Sequence, residues 1–173
     1  MGTFLVGLIF LYVDIQYGAV SLLPAFVGYL LLLGRMRAFS DYQSFEQGCP
    51  VAVVGAAGGG IGWLLSLFGL APQGVAAFLL ALVSLTVRAL TTYRLTRGME
   101  ELERATGLDM ESDKLMTAWA LLLIPDVGKL FFLVPQWGWV SNLFYGAGLL
   151  FYLIRFTGTY GVWQREKERG VCS

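Results

Sequence analysis

From residue 51 to residue 70 the chain runs for twenty positions without a charged side chain. Five further apolar segments carry only isolated charges, so that the six cover roughly 2–16, 19–36, 51–70, 75–96, 114–134 and 138–157. A helix crossing the ~30 Å hydrocarbon core of a bilayer needs about 20 predominantly apolar residues, with about 17 as a lower limit. All but the first segment meet that length. Segment 2–16 falls short, so it either spans a locally thinned bilayer or enters and returns. A backbone in lipid must satisfy its own hydrogen bonds, which helices do. The expected fold is all-α: a polytopic integral membrane helical bundle, forming a single transmembrane domain over 1–173. Composition agrees, since charged residues are 14% of the chain against about 25% in a soluble domain.

The connections alternate in character. Asp14-Ile15-Gln16-Tyr17-Gly18, Ala71-Pro72-Gln73-Gly74 and Val134-Pro135-Gln136-Trp137-Gly138 contain no Lys or Arg. The opposite ends hold Arg35, Arg37, Arg94, Arg97, Arg104, Lys114, Arg165, Lys167 and Arg169. Basic residues flanking membrane helices stay in the cytoplasm, so the pattern predicts three hairpins with both termini inside. The N-terminus lacks the positive n-region of a cleaved signal peptide, and the first segment is expected to be retained. Trp63, Trp137, Trp139 and Trp163 fall near segment ends, where tryptophan anchors helices at the interface.

Several kinds of chemistry have no support in the residues. The chain has no histidine, which removes His catalysis, His metal sites and His proton relays. Cys49 and Cys172 lie at ends assigned to the reducing cytoplasm and read as free thiols. No basic stripe interleaved with aromatics offers a nucleic-acid surface. No G-x-S-x-G nucleophile occurs. Tyr12-Val13-Asp14 and Gly107-Leu108-Asp109 do not complete an aspartyl intramembrane protease pattern. The chain is therefore expected to be non-enzymatic and to need no cofactor or metal.

One long polar connector, at about 97–113, separates the fourth and fifth segments. Arg97/Glu101 and Glu100/Arg104 have i,i+4 spacing, while Leu95, Met99 and Leu102 share a face. The expectation is an amphipathic continuation of the fourth helix ending near Gly107, with Asp109 or Ser112 capping the fifth. Its outer face is read as solvated, with docking of a partner as the alternative.

The run Gly55-Ala56-Ala57-Gly58-Gly59-Gly60-Ile61-Gly62 lacks the Lys-Ser/Thr of a phosphate loop. The pairs Gly55/Gly59 and Gly58/Gly62 instead have the small-xxx-small spacing that lets helices approach closely in lipid. Their partner is a helix of the same chain, a second copy or another membrane protein.

A charge at the bilayer centre costs at least about 2.5–3.5 kcal/mol unless paired or wet, so intramembrane ionisable residues mark sites. Asp14, Arg88, Asp126 and Lys129 are the four candidates for an intramembrane polar site. Asp126 and Lys129 are i,i+3 neighbours beside Pro125 and Gly128, which loosen the helix. Arg88 continues a stripe with Ser84, Thr91 and Thr92 expected to face the interior. Opposite charges at matching depths predict a buried network, read either as mutual neutralisation or as the lining of a cavity.

The stretch 14–30, with Asp14-Ile15, Gly18, Leu23-Pro24, Phe26 and Gly28-Tyr29, resembles a motif of uncharacterised small multi-pass membrane proteins from Firmicutes, D-I-x-x-G…L-P-x-F-x-G-Y. Ala25 stands where those proteins usually carry Asp. The resemblance covers about the first forty residues and implies a bacterial plasma-membrane protein. The expected function is that of an accessory or interaction subunit. The alternative is a small-solute or ion-binding transport component, similar in its six-segment layout to the substrate-binding subunits of energy-coupling-factor transporters.

Overall fold

The computed structural model describes residues 2–13, 16–17, 20–21, 23–70, 72–131 and 138–169, with the side chains of 16–17, 20–21, 129–131 and 138–141 outside that description. Within them six helices follow in order: α1 (Gly2–Tyr12), α2 (Ala25–Arg37), α3 (Gln43–Leu67), α4 (Gly74–Thr106), α5 (Ser112–Phe131) and α6 (Gly138–Glu168). Between α1 and α2 lies one two-residue antiparallel pairing of β1 (Gln16–Tyr17) with β2 (Val20–Ser21), Gln16 opposite Ser21. The fold is all-helical apart from that pairing.

Each helix packs antiparallel on the next, and α6 returns to α1, so the bundle closes. At one end of the first hairpin Arg35 reaches the Thr3 hydroxyl at 3.3 Å; at the other, a Cβ on Gly28 would lie 2.7 Å from the Gly7 carbonyl oxygen. The backbones of α1 and α2 therefore touch where neither has a side chain. α2 meets α3 through Met36 on Gly48 and Tyr29 on Gly55, and α3 meets α4 through Phe45 on Gly98. Phe4 of α1 stacks edge-on against Phe156 and Tyr160 of α6, at centroid distances of 5.6 and 5.5 Å.

Several boundaries differ from the apolar segments. The helix expected over 19–36 begins only at Ala25. Pro24 is extended at φ −68, ψ 124 and serves as its N-cap, and a proline disfavours helix in the residue before it. α3 starts at Gln43, well ahead of residue 51, and continues through Pro50. α6 runs past residue 157 to Glu168. Among the described residues only α3 and α4 are both long and apolar enough to cross a bilayer. α1 has 11 residues, or roughly 16 Å at about 1.5 Å per residue, half a hydrocarbon core.

The helix extensions build a second, more polar layer at one end of the bundle. Its core is Phe45, Met99, Leu102, Met110, Leu115 and Phe156, all buried. Leu95, Met99 and Leu102 face inward together, and α4 ends at Gly107, left-handed at φ 68. Of the two i,i+4 pairs expected on α4, Glu100/Arg104 forms, while Arg97 pairs with Glu100, at 2.5 Å, in place of Glu101. Glu101 is thereby left to cap α3, accepting the Ser44 N–H at 3.0 Å and the Ser44 hydroxyl at 2.5 Å. Capping of α5 also comes from α4: Glu103 accepts the Met110 N–H at 2.9 Å and the Ser112 N–H at 3.0 Å. Asp109 and Ser112 were the expected caps; a long carboxylate reaching across the turn takes the orphan N–H groups instead.

Burial of the Glu103 carboxyl opposes its ionisation, but hydrogen bonds from Ser112 and from the backbone of Met110 and Glu111 outweigh it and hold the pKa below the ordinary glutamate value. A depressed carboxyl contributes stability that is present above the unfolded pKa and lost as pH falls through the lower, folded value. Glu103→Ala is expected to cost about 0.5–2 kcal/mol, the range for a lost N-cap. In thermal melts of the purified chain the gap between wild type and variant should close on acidification below the glutamate range. A gap that persists unchanged into strong acid would contradict this capping role.

Candidate intramembrane polar site

The site begins with spacing on α4. Arg88, Thr92 and Thr96 lie at i, i+4 and i+8, one above another on a single helix face. Thr92 and Thr96 are fully buried, as is Thr91. Ser84, expected in this stripe, is exposed, although its neighbour Leu85 is buried. The inward stripe runs the other way, toward the polar layer.

Around that face the other helices supply hydrogen-bonding aromatics. The Trp119 indole N–H donates to Thr92 Oγ1 at 3.1 Å, and the Tyr12 hydroxyl lies 3.0 Å from the same atom. The Tyr145 hydroxyl donates to the Tyr12 carbonyl at 2.8 Å, and Thr96 meets the Tyr152 hydroxyl at 3.0 Å. These bonds join α1, α5 and α6 to α4. Buried hydroxyls and indoles without such partners would cost about 1–3 kcal/mol each.

Arg88 and Asp126 form the charged centre. Arg88 Nη2 is 2.6 Å from both Asp126 carboxylate oxygens. Asp126 is 5% exposed and the Arg88 side chain 23%. The guanidinium also sits 5.3 Å from the Tyr12 ring centroid, within cation–π range. Arg88 Nε is buried and finds no hydrogen-bond partner among the described residues. α5 continues as a helix through Pro125.

Two of the four residues expected at this site are thus brought together. Asp14 lies outside the described residues, as does the Lys129 side chain, so its pairing with Asp126 is not described. Tyr12, Trp119, Tyr145, Tyr152 and Thr96 were missed as contributors. For Thr96 the signal was present, since it continues the Arg88–Thr92 spacing by one more turn. For the aromatics none was, because tyrosine and tryptophan are frequent in membrane helices for anchoring alone.

Comparison with protein-family models, curated proteins and solved structures finds no match to this chain. The residues themselves must carry the functional reading. Among those described, no cluster of His, Cys, Asp and Glu could hold a metal ion.

The glycines of α3 divide into two faces. Gly55 packs on the Tyr29 ring, and a Cβ on Gly59 would lie 3.4 Å from Phe26. Gly58 and Gly62 face open space, with no atom within 4 Å of an added Cβ. Val54 and Ile61, also on α3, are exposed as well. Trp163 is buried against Phe39, at 5.2 Å between centroids, with Lys167 stacked over it. The interface-anchor expectation fails there because α6 extends beyond it.

Proposed function

We propose that this chain is a multi-pass bacterial plasma-membrane protein with both termini in the cytoplasm, acting as a non-enzymatic accessory or interaction subunit. The apolar windows of α3 and α4 support the membrane reading, since only 11% of each is buried in the bundle. Contiguous apolar surface of that extent belongs against lipid or protein, not water. The observation carrying the interaction reading is the open Gly58/Gly62 face beside an interior whose Arg88 charge is matched by Asp126. Small residues on an outward membrane face permit close approach of another helix.

The test replaces Gly58 and Gly62 by Leu. With no atom near either position, the isolated variant should melt within about 1 kcal/mol of wild type, as surface substitutions do. Its assembly size in gently solubilised native membranes should fall. Unchanged assembly, or a basic turn labelled from outside intact cells, would refute the corresponding part of the proposal.

One observation favours the transport reading as a second. Arg88 keeps an unused Nε donor and part of its side chain accessible. A small anion bound there should raise the melting temperature of wild type but not of Arg88→Met. If no anion in a panel of inorganic and carboxylate anions does so at millimolar concentration, this reading fails.

A further inference from the structure

The outward face of α6 bears a groove of about 560 Å³ at the polar end of the bundle, lined by Ile154, Thr157, Gly158, Gly161, Arg165 and Glu168 among others. The opposite face of α6, with Leu149, Tyr152, Phe156, Thr159 and Tyr160, is buried in the bundle, and no described part of the chain occupies the groove. Nothing lies within 4 Å of a Cβ added to Gly158 or Gly161. Glycine inside a helix is destabilising relative to Ala, and no contact among the described residues requires either.

The charges at the groove's lower end point to the occupant. Arg165 uses only Nε, donating to its own Gly161 carbonyl at 3.2 Å, and makes no ion pair among the described residues. Glu168 accepts only from Gln164, at 3.2 Å. Among their neighbours Glu166 pairs with Arg169, and Lys167 lies over the Trp163 ring. One cation and one anion that have no ion-pair partner among the described residues lie on a single face, which makes that face complementary to itself. A two-fold axis along the membrane normal would set two α6 helices parallel. Arg165 would then stand opposite the second copy's Glu168, offset by about 4.5 Å of helix rise, and the reverse pair would form by symmetry.

We propose that this face of α6 seats the same face of a second copy, with Thr157, Gly158 and Gly161 allowing close approach and two reciprocal Arg165–Glu168 pairs fixing the register. This names a partner and a surface for the interaction reading above, and it rests on that reading's shared membrane orientation.

The experiment uses the full chain in native membranes with Cys49→Ser and Cys172→Ser, so that single cysteines report contacts. Gly158→Cys should form a disulfide-linked homodimer on mild oxidation, at least fivefold more than Ile124→Cys, an exposed position on α5. Arg165→Glu and Glu168→Arg should each lower that yield severalfold, and the double swap should restore it. Equal cross-linking at Gly158→Cys and Ile124→Cys, or a double swap no better than the singles, would overturn the dimer. Cross-linking of Gly58→Cys to a different protein, with none at Gly158→Cys, would overturn the dimer but leave the interaction reading standing. Absence of both would remove both.

Discussion

Asp126→Leu should destabilise the purified protein by about 3–5 kcal/mol, the cost of breaking a buried ion pair and leaving one charge behind. Arg88 is the charge left. Its Nε already lacks a partner among the described residues, and Nη2 gives both short bonds to Asp126. Arg88→Met should be similarly costly, because Asp126 is the more deeply buried of the two. The double variant Arg88→Met/Asp126→Leu separates a structural role from a functional one. Apolar replacement of both members of a buried pair is often neutral or stabilising, so the double variant should recover most of the loss, and the cycle should give a coupling above about 2 kcal/mol. Melting in detergent, read by tryptophan fluorescence, measures all four proteins. If the two losses simply add, the pair is not what holds α4 to α5. A double variant that recovers stability keeps the fold without the charges, and so tests the solute reading directly: any anion stabilisation seen in wild type should be absent from it.

How much of this was legible in the sequence depends on what signal each feature leaves. Long apolar runs left a strong one: all-helical architecture, antiparallel neighbours and the extension of α4 to Gly107 follow from hydropathy, short turns and one glycine. A buried network of opposite charges followed from depth and sign, but the partner expected for Asp126 was its helix neighbour Lys129, and the bond across to Arg88 of α4 was not singled out. The helix extensions into the polar layer left little signal. Residues 43–50 contain Glu46 and Pro50 and do not read as the start of a membrane helix. They are helical because Glu101, far along the chain, caps Ser44 and because Phe45 fills the space over Gly98. Likewise Arg97 and Glu101 have the spacing of a surface pair, but tertiary demand for a cap on α3 takes Glu101 away. Local spacing describes an isolated helix; in the bundle the same carboxylate has a better acceptor role at another helix's end.

The glycine in the resembling motif gives the sharpest test of packing. Gly28→Ala should lower stability by about 1–3 kcal/mol, the usual cost of overpacking a tight contact. The added Cβ would sit 2.7 Å from the Gly7 carbonyl oxygen and 2.8 Å from the Leu11 nitrogen. Both are backbone atoms, so no rotamer change relieves the clash and α1 must move as a body. Gly34→Ala, on the same helix, meets nothing within 4 Å and should instead gain about 0.5–1 kcal/mol from helix propensity. One substitution type on one helix therefore has opposite signs at two positions. Displacing α1 also has a consequence at the polar site, because α1 carries Tyr12, whose ring lies under Arg88 and whose hydroxyl meets Thr92. Gly28→Ala should thus raise the accessibility of the interior to a small polar quencher, which Gly34→Ala should leave unchanged. Equal melting temperatures for the two variants would mean that α1 is not seated against α2 as described, and that Tyr12 is not the floor of the site.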